Sequence, residues 1–111
     1  MHTLSQEKLW RKAIFWKLLA LNEYIKSPTK RAGADAVWHD GRRLYSELRD
    51  KEYFEDMFDI AGLCPVAPWR YISQIYDPSF EMGKPFLTLA MIRRMSETGY
   101  IDDRAPAKKA A

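Results

Sequence analysis

The chain has 111 residues, of which 47% are hydrophobic, 14% aromatic and 30% charged, with a net charge of +3. This length holds one core and no second domain, and the apolar content excludes a disordered chain. No apolar run approaches the roughly 18–20 residues that a membrane span needs, and the first five residues do not read as a signal peptide.

Residues 3 to about 26 read as one long helix. Thr3 and Gln6 form a capping-box pattern, and Trp10, Ile14, Leu18, Leu21 and Ile25 recur at helical spacing. Leu9, Ala13, Trp16 and Ala20 widen the apolar arc, so the helix is expected to be covered on more than one side. Pro28 ends it, since the residue before a proline is pushed out of the helical region. A short basic linker follows, from Ser27 to Gly33.

A second helix is expected over residues 34–49, with Val37, Trp38, Gly41, Leu44, Tyr45 and Leu48 on one face. Gly41 costs about 1 kcal/mol against alanine there and marks a place where another backbone can come close. A third, over 52–61, carries Tyr53, Phe54, Met57 and Phe58, with carboxylates gathered toward its positive end. Gly62 caps it. Cys64-Pro65 opens a fourth helix that runs through Trp69, Ile72 and Ile75 to Asp77-Pro78, with Pro68 tolerated in the first turn. Pro85 opens a fifth, over 85–98, closed by Gly99. No strand signal finds a partner run or a hairpin turn. The reading is all-α: a small bundle of about five helices in one domain over 1–101, with a charged, frayed tail over 102–111.

Charge is uneven along this order. Residues 1–50 carry a balance of +4, residues 51–76 a balance of −2, and the remainder +1. A basic segment followed by an acidic one is compatible with nucleic-acid binding.

Enzymatic chemistry finds no footing. His39 and Asp40 are adjacent, and neighbours on a helix point in different directions. Cys64, the single cysteine, has no histidine or second cysteine at ligand spacing and reads as a small residue buried in a turn; a reducing cytoplasm suits it. There is no phosphate-cradling glycine loop. No cofactor, metal or membrane is implied. At helical spacing Trp10, Trp16, Trp38 and Trp69 read as core.

The helices on either side of Gly62 carry the functional expectation. Two short helices joined by a glycine-containing turn make a helix-turn-helix-like corner. Met57, Phe58, Leu63, Trp69 and Ile72 would hold it together, leaving Arg70, Ser73 and Gln74 to approach double-stranded DNA. Lys30, Arg31, Arg42 and Arg43 would hold phosphates.

The run Phe54-Glu-Asp-Met-Phe-Asp-Ile-Ala-Gly-Leu-Cys-Pro65, followed by Trp69-Arg70, resembles a segment of small phage and prophage proteins with the pattern F-x-x-[VI]-C-x-x-A-G-[LV]-D-P. Phe58 stands where that pattern has cysteine and Cys64 where it has aspartate. With Trp10–Leu21 and Trp38 in matching order, the resemblance covers about two-thirds of the chain. It implies a helix-turn-helix-like domain of the kind found in phage regulators and small terminase subunits. The expected function is therefore non-enzymatic DNA binding, in transcription regulation or DNA packaging, by a homo-oligomer paired through helix 1 or helix 85–98. Met82, Phe86, Leu89, Met91 and Met95 would make that last helix an adaptable, detachable arm. The alternative is a protein-interaction module, such as a phage-encoded inhibitor or virion accessory protein, binding through the acidic patch at 52–59.

Overall fold

A computed structural model describes residues 4–29 and 35–101. Within them lie five α-helices: α1 (Leu4–Lys26), α2 (Ala36–Glu47), α3 (Lys51–Ile60), α4 (Val66–Ile72) and α5 (Leu89–Thr98), with a 3₁₀ turn at Ser73–Tyr76 continuing α4. Among the described residues there is no strand, and the chain is a small all-helical bundle. The expected cap at Thr3, the 30–33 part of the linker and the 102–111 tail fall outside the described residues.

Helix α1 is the mast of the bundle. Ile14, Leu18, Leu21 and Ile25 are buried along one side of it, where they meet residues of every later element in a single core. Helix α2 lies on its C-terminal half. Asp35 caps α2 by accepting the Trp38 N–H at 3.0 Å. The Trp38 indole is buried and donates to the Ser27 carbonyl at 2.7 Å. A Cβ on Gly41 would fall 2.7 Å from the Ala20 carbonyl carbon and nearer still to its oxygen, so only glycine lets the two backbones come this close.

Asp50 starts α3 by accepting the N–H groups of Glu52 and Tyr53 at 3.0 and 3.3 Å. Gly62 ends it in the left-handed conformation, φ 73°. The Gly62 N–H reaches the Asp59 carbonyl at 2.9 Å and the Leu63 N–H reaches Phe58 at 2.9 Å. This is the Schellman arrangement, and its apolar partners Phe58 and Leu63 are both buried.

Leu63 to Pro65 then run without helix, turning Leu63 inward and Cys64 outward. Cys64 is therefore an exposed free thiol, not the buried turn residue its size suggested. Pro68 sits in the first turn of α4, where its missing N–H costs nothing.

The fifth helix is shorter than its sequence promises. It begins at Leu89, where Thr88 caps it by accepting the Met91 N–H at 3.1 Å. The cause lies on α1. The buried Asn22 side chain donates to the Leu87 carbonyl at 2.9 Å and accepts the Leu87 and Phe86 N–H groups at 2.9 and 3.2 Å. Backbone groups bonded to a side chain in this way are held out of a helix, so Pro85 does not open α5. Nor is α5 a detachable arm: Ile92 and Met95 are buried in the core, with Leu87 just ahead of them.

Candidate nucleic-acid interface and a second cationic groove

The glycine-turned corner forms as its residues require. Phe54 stacks on Phe58 with ring centroids 5.0 Å apart and meets Trp69 of α4 at 5.2 Å, while Met57, Phe58, Leu63 and Ile72 are buried beneath. Helix α1 clasps the turn from behind. Arg11 Nε donates to the Ala61 carbonyl at 2.8 Å, and the Glu7 carboxylate lies against Gly62, where any Cβ would strike it within 2.9 Å.

On the outer side, Arg70 and Gln74 are exposed and Ser73 is half-buried, its hydroxyl donating to the Arg70 carbonyl at 3.4 Å. Helix α4 has only seven residues, about 10 Å of length. Ser73 and Gln74 therefore lie on the tighter 3₁₀ turn that follows rather than on the α-helix itself. Tyr71 points inward: its ring stacks on Phe86 at 4.7 Å and its hydroxyl donates to the Phe86 carbonyl at 3.2 Å.

Two shallow depressions flank this surface. One, of 190 Å³, is lined by Ala67, Arg70, Tyr71, Gln74 and Ile101. Arg94 reaches its edge by donating to the Ile101 carbonyl at 3.3 Å. The other, of 890 Å³, brings Arg49, in the turn between α2 and α3, beside Ser73 and Gln74. The Arg49 guanidinium sits 5.1 Å from the centroid of the Tyr76 ring and 6.0 Å from that of Tyr45, a cation–π placement. The Tyr76 hydroxyl donates to the Tyr45 carbonyl at 2.6 Å, and burial, with Tyr45 alongside, pushes its ionisation well above the ordinary tyrosine range. Asp77 and Glu81 share this second depression, and two hydrogen bonds from Ser79 hold the Asp77 carboxyl below its usual value.

The residues expected to hold phosphate fare differently. Lys30 and Arg31 lie outside the described residues. Arg42 is exposed and makes no ion pair among the described residues, whereas Arg43 pairs with Asp40 at 3.3 Å and Glu47 at 3.8 Å. The Arg43–Asp40 pair also occupies the carboxylate that a His39–Asp40 dyad would need.

A second site was not among those expected from the sequence. Between α1 and α5 runs a groove of 420 Å³ lined by Lys8, Arg11, Lys12, Phe15, Trp16 and Arg93, with Ser96 and Glu97 at its α5 side. Lys8, Lys12 and Arg93 are exposed and make no ion pair among the described residues. Beside it Leu9 is 67% exposed, Trp16 59% and Trp10 44%. Trp10 and Trp16 are thus surface residues, contrary to expectation. For Trp16 the reason is the placement of α2, whose close contacts fall at Ala20, Tyr24 and Ser27 and leave the first half of that side of α1 bare, while Trp10 lies one turn before the buried Ile14 on the other stripe, toward the start of the helix. Trp38 is buried and Trp69 half-buried. The local signal for the groove was the basic and aromatic spacing of Lys8, Lys12, Phe15 and Trp16; what it lacked was Arg93, more than seventy residues away.

Among the described residues no three His, Cys, Asp or Glu side chains gather as a metal site, and no helix is long and apolar enough to cross a membrane. Compared with protein-family models, with curated proteins and with solved structures, the chain finds no match in any of the three.

Proposed function

We propose that the protein is a non-enzymatic, helical DNA-binding protein of the phage or prophage type that its corner resembles, acting in transcription regulation or DNA packaging in a bacterial cytoplasm. The observation that carries this reading is the exposed pair Arg70 and Gln74 on the outer side of a glycine-turned bihelical corner, with Arg49 and Arg94 brought to its edges. Arg and Gln are the side chains that bond bidentately to base edges, and Arg42 on α2, with Arg49 in the turn that follows it, suits phosphates alongside. The 10 Å recognition element and the nearby Asp77 and Glu81 favour weak, mainly backbone-directed binding in a single copy.

Polarisation titration of a labelled random duplex at two salt concentrations tests the reading. Arg42→Ala and Arg70→Ala should each weaken binding, and each phosphate contact removed should flatten the slope of log affinity against log salt by about 0.9. No binding at low salt ends the proposal.

A second reading is favoured by α3, where Glu52, Asp56 and Asp59 recur at i, i+4 and i+7 and are all exposed beside the exposed Tyr53. Such a face suits a basic protein partner. It predicts capture of a partner that is lost on Asp56→Lys with Asp59→Lys, and unchanged capture ends it.

A further inference from the structure

The first half of α1 presents an apolar seam that no described residue covers. Leu9, Ala13 and Trp16 follow one another at i, i+4 and i+7. The next member, Ala20, is the residue that Gly41 of α2 packs upon. The seam therefore changes along the helix: α2 covers its C-terminal end, and among the described residues nothing covers its N-terminal end, where Leu9 and Trp16 are exposed. A small residue between two large ones leaves a hole of the kind that receives a side chain from a second helix. The groove between α1 and α5 opens alongside, with Phe15 and Trp16 as its apolar lining.

The charges around it are mostly positive. Lys8, Lys12 and Arg93 border the groove, and helical spacing puts Lys17 on the opposite flank of the seam. Of the two nearby carboxylates, Glu97 lines the α5 side, while Glu7 is turned toward Arg11 and Gly62. We propose that this seam and groove dock an acidic amphipathic helix of a partner protein, its aliphatic side chains seated over Ala13 between Leu9 and Trp16 and its carboxylates facing Lys8, Lys12 and Arg93.

Charge complementarity selects this occupant. A second copy pairing through α1 would set Lys8, Lys12 and Lys17 against the same lysines of its twin, a like-charge arrangement that opposes association. A nucleic acid would satisfy the cations and could stack on Trp16, but it has no group to fill the hole at Ala13 or to cover Leu9. Helix-in-groove recognition uses both, with apolar anchors at i, i+4 and i+7 and a charged rim. The surface is separate from the corner, since none of Arg42, Arg70 and Gln74 lines it, so the two proposals stand or fall apart.

The test uses two labelled synthetic helices of identical apolar pattern, with leucines at i, i+4 and i+7, one flanked by glutamates and the other by lysines. Fluorescence polarisation should show the acidic helix binding in the micromolar range, with affinity falling as salt rises, and the basic helix not binding. Trp16→Ala, and separately Lys12→Glu with Arg93→Glu, should each weaken binding at least tenfold. All three residues are exposed, so thermal melts by circular dichroism should match the parent chain. Leu9→Ser supplies a second apolar probe. Equal binding of the two helices, no binding of the acidic one, or indifference to all the substitutions overturns the proposal. So does a dimer in sedimentation velocity that Trp16→Ala converts to monomer, which gives the seam to a second copy. Displacement of the acidic helix by a single-stranded oligonucleotide, abolished by Trp16→Ala, gives it to nucleic acid and overturns the proposal too.

Discussion

Asn22 is the most consequential polar residue in the bundle, and replacing it gives the sharpest check on the architecture. It is only 8% exposed and satisfies three backbone groups sixty-odd residues away: the Leu87 carbonyl at 2.9 Å, the Leu87 N–H at 2.9 Å and the Phe86 N–H at 3.2 Å. Asn22→Ala leaves the two Leu87 groups buried without partners. Each orphaned group costs about 1–3 kcal/mol, so the loss should be at least about 2 kcal/mol. That is a large share of the roughly 5–15 kcal/mol that holds a domain together. At about 4–8 °C per kcal/mol for a chain near this size, the midpoint of thermal unfolding should drop by about 10 °C or more. Circular dichroism melts measure the drop, and hydrogen exchange locates it, since the Phe86 and Leu87 amides should lose protection before those of α1. A variant that melts within 2 °C or so of the parent, with both amides still protected, would show that Asn22 does not hold this segment.

Gly41→Ala tests the α1–α2 contact through a contest of signs. Helix propensity alone would stabilise the variant by about 1 kcal/mol, but a Cβ driven against the Ala20 carbonyl should cost more than that, about 1–3 kcal/mol or above. Net destabilisation in urea melts is expected, and a stabilised variant refutes the close approach. Tyr76 makes a prediction in pH. Its folded-state ionisation lies above the unfolded value of 10.0, so its contribution is fully present below that value. As pH rises past it the unfolded chain loses the proton while the folded phenol keeps it, and stability falls. Urea unfolding followed from about pH 9 to 11 should show this decline, and Tyr76→Phe should flatten it; an unchanged slope refutes the assignment.

Much of the bundle was readable locally. Ile14, Leu18, Leu21 and Ile25 announce the buried side of α1, and Gly62 announces both the end of α3 and the corner, because a left-handed residue followed by an apolar one is a local requirement. Arg70 and Gln74 were legible as outward residues for the same reason, lying between the buried Ile72 and its neighbours. The departures all come from distant partners. Phe86 to Thr88 look like a first helical turn by spacing, and only Asn22, on another helix, holds them out of one. Trp10 and Trp16 look like core because each continues one of the two apolar seams of α1, and nothing in the sequence says that the first seam is covered only from Ile14 onward and that α2 covers only half of the second. The adjacent Arg93 and Arg94 part company in the same way: α5 carries Arg93 to the groove against α1, while Arg94 reaches the edge of the Arg70 depression through Ile101.

The Asn22–Leu87 tie also bears on how the chain is made. The two residues stand 65 positions apart, so α1 leaves the ribosome long before the segment it grips exists. Until then the Asn22 amide must be solvated by water, and the greasy side of α1 has only α2 and α3 for shelter. Closure waits for the segment that leads into α5, and until it emerges the nascent chain depends on whatever shields growing polypeptides from one another.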